Sequence, residues 1–327
     1  MSALELREVD RLDILLLVDN ATDSLSTTPK YVVPEWPGLQ NSGRLPALAG
    51  EAICHAHHGL SVLITAHVGD ETRRLLLDAG PEGATLLRNS AILGADLGAV
   101  DAVVLSHGHW DHGGGLLAAV ETIAQGSRGG VDCYLHPGLF AERAGRRQDG
   151  ALLIQKRIPN PEQLGKAGAR PVVTREPQVV ADGVFGISGE IPRVTSYEEG
   201  LPGHMRRAAD GVGWDPDPLI MDERFVVVRV KDKGAFVFSS CSHAGIVNVL
   251  THARDTFASG PLHGVLGGFH LSGVTEKIIP DTVRDLKRFD LTVLAPGHCT
   301  GWRAISAMAA AFGDELVPSA VGKRYLI

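Results

Sequence analysis

The stretch VVLSHGHWDHGGGL, Val103 to Leu116, places three histidines and an aspartate within six residues, directly behind an apolar run. A short Val/Leu run bounded by Ser and Gly reads as a buried strand, so His107, His109, Asp111 and His112 stand on the turn that leaves it. Neutral imidazole and carboxylate are good ligands for zinc, iron and manganese, and side chains two residues apart on such a turn converge on one ion. The spacing predicts that His107 and His109 grip one metal while Asp111 and His112 grip a second. The glycines that follow, Gly113 to Gly115, permit tight turning and close packing as a helix begins. Chance histidines on a surface loop explain the cluster poorly, because polar side chains of this kind rarely crowd together unpaired.

Four ligands from one loop cannot close two metal sites, so others must arrive from elsewhere. His243 follows AFVFSSCS, His270 follows GVLGGF and His298 follows LTVLAPG, each ending an apolar run. Three histidines at equivalent strand ends point to one edge of a sheet sandwich. His243 and His298 are expected as ligands, and His270 stands open between ligand, substrate contact and support for a ligand. His204, in a polar stretch, is a candidate substrate contact. His55, His57, His58, His67, His136, His252 and His263 have no comparable setting and read as ordinary core or surface histidines.

The remaining sequence supports a layered α/β fold. Apolar runs at 13–20, 60–68, 72–80, 100–107, 131–137, 183–188, 224–230, 234–241, 262–268 and 291–298 read as strands, and 82–97, 113–125, 244–257, 279–289 and 303–312 as helices. Strands in two sets with helices in both predict two sheets packed face to face and covered by helices, in one domain over 1–327. The segment 189–223, rich in Pro and Gly with little periodicity, reads as a lid or substrate loop.

Composition excludes several classes. The 327 residues are 44% hydrophobic and 21% charged, ordinary for a globular protein. The formal net charge is −7 and no dense Lys/Arg run is present, which argues against nucleic acid as a partner. RAGRR at 143–147 is the nearest approach to a basic patch and reads as a solvated loop or helix end. The first twenty residues carry acids before a short apolar run, unlike a secretory signal, and no run approaches the roughly eighteen apolar residues of a membrane span. A cytoplasmic protein acting on a small molecule is expected, with homo-oligomerization open. Cys54, Cys133, Cys241 and Cys299 are widely spaced without a CxxC pair, so neither a disulfide framework nor a thiolate zinc knuckle is indicated.

HGHWDH at 107–112 resembles the HxHxDH signature of the metallo-β-lactamase superfamily. That resemblance implies a four-layer αββα sandwich with two divalent metal ions at one edge, zinc foremost with manganese and iron as alternatives. LLLDAG (75–80) resembles an earlier motif of the superfamily, in which Asp78 would orient the metal loop, and PGHCTG (296–301) a late one, which implies ligation by His298. LLLVDN, HHGLSVLI, GEIPR, MDE, CSHAGIVN and GGFHL further resemble the branch described as dihydropteroate-synthase-like, typified by archaeal dihydropterin ribofuranosylaminobenzene phosphate synthases. There the implied reaction is a condensation in which a pterin methyl diphosphate loses pyrophosphate to an aryl carbon.

The chain also departs from the common superfamily pattern. Many members carry a Gly-Asp whose aspartate bridges both metals, and CSHAG stands in its place, so His243, with Cys241 nearby, must complete the shell differently. FGISGEIPR occupies the place of another metal-binding histidine and offers Glu190 as ligand, base or cap. Asp111, Glu190 and His270 are the candidate catalytic residues; Arg193, His204 and Trp214 are the candidate substrate contacts, with Trp214 and Tyr197 offering aromatic faces. Lys231 and Arg224 also lie near the lid, with surface charge as their plainer reading. Hydrolysis of an ester, phosphoester, lactone or amide, or transfer on a pterin-like substrate, are the expected chemistries. A mononuclear iron enzyme of the persulfide dioxygenase type and a non-catalytic metal-binding protein are the alternatives.

Overall fold

The computed structural model describes residues 4–126, 129–257 and 260–327. Two large sheets carry the fold. The first runs Val32–Val33, Arg324–Leu326, Arg11–Val18, Ser61–Val68, Glu71–Leu77, Ala102–Val104, Val131–Leu135, Ala169–Val173 in spatial order. The second runs Gln178–Val180, Phe185–Ile187, Phe225–Val230, Gly234–Ser239, Leu262–Gly268, Val293–Gly297.

The near-continuous apolar runs follow from burial on both faces of each strand. Along Arg11–Val18, Ile14 and Leu16 enter the core between the sheets, where they join Val62, Ile64, Val226, Val228, Phe236 and Phe238. Leu15 and Leu17, pointing the opposite way by the two-residue period of a strand, pack with Leu86, Leu116, Val120 and Ile123 of the helices Gly83–Leu93 and Leu116–Gly126. The outer face of the second sheet is covered in the same way by Ile246–Phe257, Ile279–Leu286 and Trp302–Phe312. In Ile246–Phe257 the buried residues Ile246, Val249, Leu250, Ala253 and Phe257 recur at helical spacing. The result is the four-layer αββα sandwich expected from the sequence. Among the described residues no helix is long and apolar enough to cross a membrane.

The connections decide where a site can form. Glu71–Leu77, Ala102–Val104 and Val131–Leu135 are mutually parallel, as are Gly234–Ser239, Leu262–Gly268 and Val293–Gly297. Asp78, the 105–112 loop, Cys241 to His243, His270 and His298 all leave the carboxyl ends of these strands, the end at which parallel sheets present ligands.

The segment 189–223 holds two short strands, His204–Arg207 and Trp214–Pro216, which join Arg143–Arg146 and Leu152–Ile154 in a third sheet. That pairing corrects the reading of 143–147 in part: Arg146 and Arg147 are exposed as expected, but Arg143 is 2% exposed and its Nη2 lies 2.7 Å from Asp222 Oδ1. Arg224 is likewise no surface charge. It is fully buried and donates to the carbonyls of Thr174 and Glu176 at 3.0 and 2.9 Å.

Candidate metal centre

The loop at 107–112 is held from behind by Asp78. One carboxylate oxygen accepts the Ser106 N–H at 2.7 Å; the other accepts the Ser106 hydroxyl at 2.7 Å and faces His112 Nδ1 at 2.7 Å. Ser106 Oγ in turn stands 2.9 Å from His107 Nδ1. With both Nδ1 atoms tied back, the Nε2 atoms of His107 and His112 are free to point forward. The glycine run seats this loop: a Cβ on Gly114 would stand 1.9 Å from the Pro81 carbonyl oxygen, and one on Gly115 2.2 Å from that of Ala79. Only glycine lets the loop press so closely on the segment that follows Asp78.

Two groups of ligand atoms result. In the first, His107 Nε2 lies 3.0 Å from His109 Nδ1, and the His243 ring centroid is 4.9 Å from both of their rings. His243 is 3% exposed with neither ring nitrogen hydrogen-bonded, a cost of a few kcal/mol for a buried polar group unless a ligand meets it. In the second, His112 Nε2 lies 3.1 Å from His298 Nε2, and Asp111 Oδ2 stands 3.7 and 3.5 Å from those two nitrogens. His298 Nδ1 is backed by Asn20 Oδ1 at 3.0 Å. Cys241 Sγ reaches to 3.3 Å from His112 Nε2. Imidazole nitrogens aimed at one another at such range, with the opposite nitrogens of His107, His112 and His298 held by Ser106, Asp78 and Asn20, are the arrangement a shared metal ion satisfies. The residues present therefore fit a metal centre.

Electrostatics agree. Burial, reinforced by neighbouring cationic groups, lowers His107, His109, His243 and His298 well below the usual imidazole range, so all four stand neutral and ready to ligate. His112 differs: burial opposes its charge, but the Asp111 and Asp78 carboxylates outweigh it and raise it to about 9. Asp78, Ser242, His270 and His298 have φ of 58°, 53°, 40° and 45°, so the backbone is strained at four points around the centre.

Of the remaining expected site residues, some converge and others do not. His204 is buried beside the centre, its Nε2 3.0 Å from His109 Nε2 and its Nδ1 2.8 Å from the Asp217 carbonyl. His270 lies against His243, 4.4 Å between ring centroids with the rings tilted by 47°. Glu190 is engaged elsewhere, 3.2 Å from His136 Nε2 and paired with Arg175, and has no contact with the histidine cluster. Arg193 spends its guanidinium on the carbonyls of Ile191 and Leu219, and Trp214 lies under Arg207, 4.2 Å from ring centroid to guanidinium carbon. None of these three lines the cleft over the centre.

That cleft, of about 420 Å³, is walled by Asn20, His58, Trp110, Gln155, Leu201 and Ser272 together with His109, Asp111, His243 and His298. Several contributors were not foreseen. His58 Nε2 stands 3.4 Å from Asp111 Oδ2 at the mouth. Asp222 accepts the Gly108 N–H at 2.9 Å, and Glu223 accepts those of His243 and Ala244, both at 2.7 Å. Their signals were present in HHG and MDE, but only as fragments of a resemblance. Cys299, adjacent to His298, sets its sulfur 3.3 Å from that of Cys241.

Comparison with known proteins agrees with this fold. A sequence model described as the metallo-β-lactamase superfamily matches residues 56–206. The chain is 26% identical over 271 residues to a 7,8-dihydropterin-6-methyl-4-(β-D-ribofuranosyl)-aminobenzene-5′-phosphate synthase of Methanocaldococcus jannaschii, covering 82% of this chain and 89% of the relative. It is 30% identical over 255 residues to an uncharacterized protein of the same organism, covering 78% and 88%. Among solved structures it resembles a metal-dependent hydrolase of the β-lactamase superfamily, with a TM-score of 0.70, 22% identity, and coverage of 96% of this chain and 98% of that one. The chain belongs to the metallo-β-lactamase superfamily.

Proposed function

We infer that the chain is a metal-dependent enzyme that breaks or exchanges a bond to phosphate in a small molecule. It works through two metal positions, one at His107, His109 and His243, the other at Asp111, His112 and His298. The observation that carries the reading is the double convergence of ring nitrogens beneath one open cleft. Divalent ions, zinc foremost with manganese and iron as alternatives, supply acidified water near neutral pH and compensation for charge on a phosphoryl oxygen.

The chain's own residues do the rest. Asp111 Oδ2 faces His112 and His298 inward and His58 outward, so it can orient a nucleophile in the cleft or take its proton. His58, whose side chain is 57% exposed, is placed to hand a proton to a departing oxygen. His270 borders the cleft beside His243 as a substrate contact. His204 acts through His109, whose outer nitrogen it meets, rather than on substrate directly.

Among the described residues no Lys or Arg lines the cleft. In this reading the negative charge of a phosphorylated substrate falls to the metal positions themselves. Trp110 offers an aromatic wall, in keeping with a heteroaromatic body, and the pterin-related name of the 26% identical relative supports a pterin-like one. A panel of phosphodiesters, lactones, thioesters and a pterin methyl diphosphate, offered to the metal-loaded protein, tests the reading. Turnover confined to phosphorylated compounds, abolished by chelation and by Asp111→Ala, is expected. Turnover of lactones or thioesters alone, or turnover that survives chelation, would overturn it.

A further inference from the structure

One atom belongs to both groups of ligands. Cys241 Sγ lies within 4.8 Å of the ligand atoms of His107 and His243, and within the same limit of those of His112 and His298. It stands 3.3 Å from His112 Nε2, so it sits between the two positions rather than behind either. Cys241 is 3% exposed, yet its surroundings are imidazoles and a second thiol, not the apolar packing of an inert buried cysteine. Cys133 provides that contrast within the same chain: fully buried, it packs in the helix-covered core with Val103, Leu105 and Leu135 and takes part in no such cluster.

Charge points the same way. Two divalent ions bring four positive charges into a largely buried place, and desolvating them uncompensated is costly. Asp111 is the one carboxylate in the ligand set. A second anion is needed between the positions, and a thiolate, deprotonated outright when it ligates a metal, supplies it. Cys299 is placed differently. Its sulfur lies 3.3 Å from Cys241 Sγ and 3.7 Å from the Cys241 carbonyl oxygen, and it clusters with Cys241 and His270 alone, not with either group of ligands. It holds the sulfur of Cys241 in place without reaching the metal positions.

We propose that the Cys241 thiolate is a shared ligand of both metal positions, with Cys299 as its hydrogen-bonding partner. The proposal rests on the two-position reading given above and adds a preference: thiolate favours zinc, cobalt or iron over magnesium and manganese. The test loads the full chain with cobalt(II), whose bonds to thiolate give a charge-transfer absorption in the near ultraviolet. Metal content and affinity are measured alongside in Cys241→Ser, Cys241→Asp and Cys299→Ser. The wild type and Cys299→Ser are expected to bind two cobalt ions and show the band. Cys241→Ser should lose the band and bind both equivalents at least tenfold more weakly, and Cys241→Asp should lose the band but recover affinity through its carboxylate. Two tightly bound cobalt ions without a sulfur band, a band that survives Cys241→Ser, or weakening of only one equivalent would overturn shared ligation while leaving the two positions intact. A wild-type chain that takes up no cobalt would overturn both readings.

Discussion

Replacing Asp78 with Asn tests whether the loop is built for metal or merely for stability. The substitution preserves shape, and Asn tolerates the positive φ of 58° at this position, so the backbone has no reason to move. The hydrogen bonds do change. If the Asn carbonyl oxygen keeps the Ser106 N–H, the amide nitrogen must face Ser106 Oγ and His112 Nδ1, both of which now sit 2.7 Å from a carboxylate oxygen. His112 Nδ1 then has to accept, which drives the imidazole proton onto Nε2, the atom 3.1 Å from His298 Nε2 where a metal would bind. Loss of such a supporting partner typically costs 10- to 100-fold in metal affinity, about 1.4–2.7 kcal/mol. The larger cost should fall on the Asp111, His112 and His298 position, which Asp78 supports directly, and a smaller one on His107, which it supports through Ser106. Competition with a chromophoric chelator resolves the two equivalents, and thermal melts of the metal-free variant control for folding. Unchanged affinity at both positions, or equal loss at both, would refute the reasoning.

Three further outcomes follow from the geometry. Arg143→Met leaves Asp222 buried without its partner, beneath the Gly108 N–H it accepts, and should lower stability by about 3–5 kcal/mol in urea titration; a loss near zero would show that the pair does not support the loop. Gly114→Ala, whose Cβ would meet the Pro81 oxygen at 1.9 Å, should cost at least about 1–3 kcal/mol by thermal unfolding, and an unaltered melting temperature would contradict the packing described. His107, His109, His243 and His298 have folded pKa values depressed below the unfolded 6.5. The stability they contribute is therefore present above pH 6.5 and lost as the pH falls below it. Bound zinc, competing with protons, should shift the acid unfolding midpoint seen by circular dichroism to lower pH, and a midpoint indifferent to zinc would count against these imidazoles as ligands.

Much of the architecture was legible because it obeys short-range periodicity. The apolar runs became strands because both faces are covered, as Leu15 and Ile14 on adjacent positions of one strand make plain, and the histidines at run ends marked the carboxyl edge. What the sequence concealed was pairing at long range. Arg143 reads as a solvated basic residue until strand pairing with 204–207 buries it against Asp222. Glu190 looks like a replacement ligand by its place in the chain, yet its carboxylate is drawn to His136 and Arg175. His58 and Cys299 were hidden by the opposite effect. Each is ordinary in its local sequence and gains a role only through distant pairing: His58 meets His298, 240 residues on, with ring centroids 5.2 Å apart, and Cys299 meets Cys241.

Anomalous diffraction at the zinc edge, from crystals of the zinc-loaded protein, tests most directly the proposed pair of metal positions at one sheet edge. Two peaks are predicted beneath the cleft, one against His107, His109 and His243 and one against Asp111, His112 and His298. A single peak, or peaks away from these residues, would contradict it.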